Sequence, residues 1–217
     1  MQKFSTLADA IALAEFAHRN QLDKAGLPYI EHPRRVLETV KSQGVQPYVQ
    51  MAAILHDVPE DTRFSHDILL TLGFSEAVVN LTKLLDRGYS KKIWNEIEYS
   101  REATVHEISL SMSLDEAYEK YDRENGRYIG APYPNGQFVH DADEFYYHEI
   151  KKNRDATIIK LADIRDNMQG WRLAYLSDES QKRLRAKYTK ALEILNPPPV
   201  NHGFLAHDYV FDPYMLG

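Results

Sequence analysis

At 217 residues the chain is long enough for one domain with a sizeable core. It has no cysteine, which excludes disulfides and thiolate metal sites, and its formal charge of −6 argues against generic nucleic-acid binding through basic patches. No apolar run approaches the ~20 residues that span a bilayer, and the N-terminus lacks a basic segment followed by an apolar core, so a cytoplasmic protein with no membrane partner is expected.

Thr6 followed by Asp9 predicts a helix start. Leu7, Ala10, Ile11, Ala14 and Ala17 then repeat at helical spacing, which predicts an amphipathic helix over 6–19. His18 on this helix reads either as a satisfied structural histidine or as part of a site. Gly26 and Pro28 mark Gln21 to Ile30 as a loop. Pro33 suits a first helical position because it has no N–H to leave unpaired, so His32 sits at a helix mouth, either as a surface residue or as a ligand. Arg34 and Arg35 begin that helix, either solvated or within reach of a phosphate. Val36, Leu37 and Val40 give it a buried face, and Gly44 ends it.

Pro47 to Asp57 predicts a helix apolar on most sides and therefore central. It runs into Leu55-His56-Asp57-Val58-Pro59-Glu60-Asp61-Thr62. A His-Asp pair at the end of a buried helix, followed by two acids, is costly unless the charges have partners. A divalent cation is the simplest partner. His32, His56, Asp57 and Asp163 make a set of nitrogen and oxygen donors without sulfur, which suits Mn²⁺, Fe²⁺ or Zn²⁺. Pro59 breaks the pattern, so Glu60 and Asp61 begin a new turn, where acids are favourable on electrostatic grounds alone. The functional alternative is that Glu60, with Asp61, positions and deprotonates an attacking water.

Ser65 and Ser75 open two further helices, the first ending at Gly73. Residues 88–140 are rich in tyrosine and mixed in charge, with a short helix expected over Ser113 to Tyr121. Pro134-Asn135-Gly136, flanked by Tyr128-Ile129 and Phe138-Val139, is a β-hairpin signal. Helix resumes over Asp141 to Lys152, and Asn153 caps the next one, on which Asp163 and Asn167 share a face. Asp166 and Arg165 are expected to point elsewhere, into surface pairs. Ser177 or Asp178 opens the last helix, which Pro197-Pro198-Pro199 stops. The tail over 197–217 is apolar enough to pack on the body or on a neighbour.

Three ordered segments resemble the HD-domain metal-dependent phosphohydrolases, and within them the hydrolase domain of Rel/Spo-type alarmone enzymes and the stand-alone small alarmone hydrolases. They run from Ala17 to Pro33, from Ala53 to Thr62 and from Ile159 to Met168, and with their flanks cover roughly 5–87 and 142–195. The resemblance implies an all-α HD-domain helical bundle as a single domain over 1–217. Residues of about 88–140 would be an insertion carrying the hairpin signal and acting as a lid or an interface. It implies His32, His56, Asp57 and Asp163 as metal ligands, with Mn²⁺ first and Fe²⁺ or Zn²⁺ as alternatives. Glu60 and Asp61 become the catalytic acids, and Asn167, Lys24 and Arg34 the substrate contacts. Asp23 stands where the family carries the first of two basic residues that hold the guanine base, which leaves guanine recognition open.

The expected activity is that of a guanosine 3′,5′-bis(diphosphate) 3′-pyrophosphohydrolase acting through a metal-activated water. The alternatives are an HD-type nucleotidase or phosphohydrolase on another phosphate ester, and a non-catalytic nucleotide-binding module. The partner is a small nucleotide, not nucleic acid, and a homo-oligomer would form through the insertion or the tail.

Overall fold

The computed structural model describes residues 6–117, 120 and 141–195. It is built of helices: α1 (Leu7–His18), α2 (Glu31–Lys41), α3 (Pro47–Leu55), α4 (Val58–Asp61), α5 (His66–Leu72), α6 (Glu76–Leu85), α7 (Arg87–Ser109), α8 (Ala142–Lys151), α9 (Arg154–Asn167), α10 (Gly170–Leu173) and α11 (Asp178–Leu195). Among the described residues there is no strand, only an isolated antiparallel bridge between Leu22 and Pro28. The fold is all-α. The hairpin expected near Pro134-Asn135-Gly136 and the packed tail over 197–217 lie outside the described residues. So does the end of the helix expected from Ser113, of which 114–117 are helical.

The helix starts follow from local chemistry. Thr6 and Asp9 form a reciprocal capping box at α1. Ser65, Ser75 and Asn153 each accept a backbone N–H at the starts of α5, α6 and α9. Gly73 ends α5 in the left-handed conformation, φ 101°, which a side chain would strain. Ser177 accepts the N–H of Ser180 at the start of α11.

The chain forms two compact units, one of residues up to Asp86 and from Tyr147 on, the other Arg87–Tyr146. In the first, α3 is the centre: α1, α2, α6 and α9 all pack on it. Its Ala52, Ala53, Ile54 and Leu55 are fully buried, and each of the two larger side chains contributes about 1.5–3 kcal/mol by leaving water. Helix α9 also packs on α2, and Tyr48 on α3 donates to Asp155 on α9. The first turn of α2, the end of α3 and the middle of α9 are thereby brought together. The second unit is dominated by α7, a single helix of 23 residues. In it Arg87 pairs with Asp143, and the Trp94 and Phe145 rings lie 5.4 Å apart.

Candidate metal centre

His56 is the residue at which α3 ends. Helix ends leave carbonyls unpaired, and the His56 ring takes up one of them: its Nδ1–H donates to the Ala53 carbonyl at 2.8 Å. That bond fixes the tautomer and leaves Nε2 with the lone pair. Nε2 is buried and has no hydrogen-bond partner, with Asp57 Oδ2 3.1 Å away. Asp57 is the N-cap residue of α4, and Pro59 sits in that helix's first turn, where its missing N–H costs nothing.

His32 lies in the first turn of α2 and is buried. Its Nδ1–H donates to Asp166 Oδ2 at 2.7 Å, so the neutral ring carries its lone pair on Nε2. Nε2 lies 3.2 Å from Asp163 Oδ1 and 3.5 Å from Asp57 Oδ2. The two imidazole rings are 5.4 Å apart. Donor atoms of His32, His56 and Asp163 lie within 4.8 Å of one another, and Asp57 touches both histidines.

This arrangement fits a cation. Metal–ligand bonds of about 2.0–2.2 Å put neighbouring donors roughly 3.0–3.5 Å apart, and these separations are 3.1 to 3.5 Å. Both histidines have Nδ1 occupied and Nε2 turned to the carboxylates, the arrangement that prepares imidazole for ligation. An imidazole nitrogen that is buried without a hydrogen bond is otherwise a cost.

The carboxylates are strongly perturbed. Burial alone would raise Asp57 and Asp163, but His56 beside Asp57, and Lys160 and His32 beside Asp163, hold both below the ordinary range. Lys160 Nζ donates to Asp163 Oδ2 at 2.7 Å and Asn167 Nδ2 to Asp163 Oδ1 at 2.5 Å. Burial would lower His32, yet its bonds to Asp163 and Asp166 raise it to about 9.

The remaining sequence candidates are placed as follows. Glu60 and Asp61 stand three and four residues beyond Asp57, in α4, and both are exposed. Gln21 Nε2 approaches Asp61 Oδ2 at 3.5 Å, while its Oε1 accepts from His18 Nδ1–H at 2.7 Å. His18 is buried, with its ring 4.9 Å from that of Tyr29. Lys24 is exposed in the loop before α2. Arg34 is not drawn into the cluster; its guanidinium spans Glu15 and Glu31 at 2.6 and 2.7 Å.

Asp23 has a local structural role. Its Oδ1 accepts the N–H groups of Ala25 and Leu27 at 2.9 and 3.0 Å, holding the turn in which Gly26 adopts φ 78°. Asp166 corrects the expectation of a surface pair. Only Arg165 is exposed; Asp166 is buried. Its Oδ1 accepts from Arg35 Nε at 2.6 Å and Gln169 Nε2 at 3.0 Å. Its Oδ2 accepts from His32, from Arg35 Nη2 at 3.1 Å and from Arg172. Tyr29, whose hydroxyl donates to Asp57, is another member that sequence reasoning missed. For Asp166 a signal existed: it is three residues from Asp163, which puts the two on neighbouring faces of one helix.

Residues 10–112 match the HD domain. Over those residues the chain is similar to HD-domain phosphohydrolases. Within that class it resembles the hydrolase domain of Rel/Spo-type proteins. A GTP pyrophosphokinase of Streptomyces coelicolor is 44% identical over 109 residues, 49% of this chain and 12% of the relative. The bifunctional (p)ppGpp synthase/hydrolase RelA of Mycobacterium tuberculosis is 38% identical over 60 residues, 28% of this chain and 8% of the relative. The guanosine-3′,5′-bis(diphosphate) 3′-pyrophosphohydrolase of Haemophilus influenzae is 39% identical over 57 residues, 26% of this chain and 8% of the relative. The chain thus spans about a tenth of the length of these relatives. No helix among the described residues is long and apolar enough to cross a membrane.

Proposed function

We propose that the protein is a metal-dependent pyrophosphohydrolase that removes the 3′-diphosphate from a guanosine alarmone. The observation that carries this is the convergence of the Nε2 atoms of two buried histidines with two carboxylates, in a chain partly similar to a guanosine-3′,5′-bis(diphosphate) 3′-pyrophosphohydrolase. His32, His56, Asp57 and Asp163 would hold the metal, with Mn²⁺ the first candidate and Fe²⁺ or Zn²⁺ the alternatives. When bound, such a cation neutralises phosphate oxygens and lowers the pKa of a water. Glu60, one helical turn beyond Asp57, takes the proton of the attacking water on its carboxylate, and Asp61, approached by Gln21, orients that water. Asn167 is fixed by donation to Asp163, so its amide oxygen is the part that accepts a sugar hydroxyl. Lys24 meets the base or a phosphate, and Arg34 would reach a phosphate only by leaving Glu15 and Glu31.

The test is phosphorus NMR of Mn²⁺-loaded protein incubated with guanosine tetraphosphate. Pyrophosphate should appear, and should be lost in Asp57→Ala and Glu60→Ala. A second reading, an HD-type nucleotidase on another phosphate ester, is favoured by Asp23. That carboxylate builds the loop, so the loop offers Lys24 without a basic neighbour before it. Orthophosphate from a nucleoside monophosphate, with the tetraphosphate untouched, would select that reading.

A further inference from the structure

We infer that Asp166 is a positioning residue for His32, a fixed carboxylate that sets which imidazole nitrogen is available to the metal and where it points. The inference rests on the metal reading of the site and adds to it a residue outside the ligand set. Five donor groups converge on the two oxygens of Asp166: Arg35 Nε and Gln169 Nε2 on Oδ1, and Arg35 Nη2, Arg172 Nη1 and His32 Nδ1 on Oδ2. Arg35 grips it from α2 with both arms of its guanidinium, and Arg172 from α10. A carboxylate held bidentately and from a second side cannot swing, so Oδ2 is a fixed point for the imidazole.

The donor assignment at His32 follows from the same contacts. Arg172 Nη1 lies 3.0 Å from His32 Nδ1, but an arginine can only donate. Asp166 Oδ2, an ionised carboxylate oxygen that can only accept, is the nearer neighbour at 2.7 Å, so Nδ1 carries a proton and Arg172 donates to the same oxygen. In the neutral ring, the form that ligates, the lone pair is on Nε2, which faces Asp163 and Asp57.

A purely structural ion pair is a poor explanation for so much buried charge. Taking a carboxylate from water is expensive, and apolar replacements of similar volume generally serve stability as well or better. The arrangement makes sense if the carboxylate's position matters, and the group it positions is a ligand candidate. Carboxylates behind ligating histidines typically change metal affinity about 10- to 100-fold when removed.

The experiment measures Mn²⁺ binding to the full chain by calorimetry, with circular dichroism as the check on folding. Asp166→Asn should weaken Mn²⁺ binding about 10- to 100-fold with helical content unchanged. In His32→Gln the further change Asp166→Asn should have little added effect, because the carboxylate acts through that ring. Wild-type protein that binds Mn²⁺, with Asp166→Asn binding it equally well at a lower melting temperature, would make Asp166 a structural residue and overturn the inference. Wild-type protein that binds no Mn²⁺ would overturn the metal reading and the inference with it. If Asp166→Asn does not fold, nitrogen NMR of histidine-labelled wild-type protein decides. A proton on His32 Nδ1 and a Zn²⁺-induced shift at its Nε2 support the inference, and the reverse pattern overturns it.

Discussion

The hydroxyl of Tyr29 donates to Asp57 Oδ2 at 2.6 Å, joining residues 28 apart in the chain. Tyr29 ends the loop before α2, and its ring lies between those of His18 and His32, 4.9 and 5.9 Å away. Burial and the neighbouring Asp57 charge push this hydroxyl far above the usual tyrosine value, so it is held as a donor. Asp57 is therefore anchored from the loop before α2. Tyr29→Phe keeps the ring and removes the bond. A hydrogen bond to a charged group is worth about 1.5–3 kcal/mol, and loss of an orienting partner weakens metal binding by about tenfold or more. Urea titration and Mn²⁺ calorimetry should both register the change; unaltered Mn²⁺ affinity would show that Asp57 needs no such anchor.

Metal binding should depend on pH through His32. Its folded-state value is raised, from 6.5 to about 9, by Asp163 and Asp166 against the opposing effect of burial. In metal-free protein the stabilisation from the protonated ring is therefore fully present below pH 6.5 and lost as pH rises through about 9. A metal needs the Nε2 lone pair, so the proton competes with it. Apparent Mn²⁺ affinity should rise by up to about tenfold per pH unit over that window, with release of close to one proton per ion at neutral pH. Calorimetry in buffers of different ionisation enthalpy counts that proton. A flat affinity with no proton released would remove His32 from the ligand set.

Much of the helical frame was legible because it rests on local chemistry. Thr6 with Asp9, Ser65, Ser75 and Asn153 cap the helices that they were expected to cap. His56 and Asp57 stood out because acids and imidazole follow a fully apolar run. What escaped depends on contacts distant in sequence. Asp166 meets Arg35 across 131 residues, and nothing near either residue announces the pair. Asp166 shares its side of α9 with Asp163 almost as well as Asn167 does, and only the packing of α2 against α9 decides which face is buried. The 23-residue α7 was read only as a segment rich in tyrosine and mixed in charge, a composition that blurs the apolar stripe by which an amphipathic helix is recognised.

Leu55 shows how the core supports the site. It is fully buried at the last turn of α3, immediately before His56. Leu55→Ala should destabilise the protein by about 2–5 kcal/mol, the range for a buried leucine that leaves a cavity. The loosened helix end also frees the Ala53 carbonyl that orients His56, so Mn²⁺ affinity should fall as well. Denaturant unfolding with and without Mn²⁺ separates the two effects: a stability loss with full metal affinity would mean that His56 is held independently of the core.

Arg34 and Arg35 are adjacent in sequence and opposite in consequence. Arg34 is 45% exposed and pairs with two carboxylates, each about as exposed, so solvent screening leaves those bonds about 0–1 kcal/mol. Arg35 grips Asp166, whose side chain is 4% exposed, and removing it withdraws two of the donors that compensate a buried charge. Breaking a buried pair outright costs about 3–5 kcal/mol; Arg172 and Gln169 remain on Asp166, so Arg35→Ala should fall somewhat below that range. Arg34→Ala should shift the urea midpoint little and leave Mn²⁺ binding intact. Arg35→Ala should lower both, because His32 loses the fixed carboxylate behind it. Equal midpoints for the two variants would mean that Arg172 alone holds Asp166, and Arg172→Ala would then be the variant that releases His32.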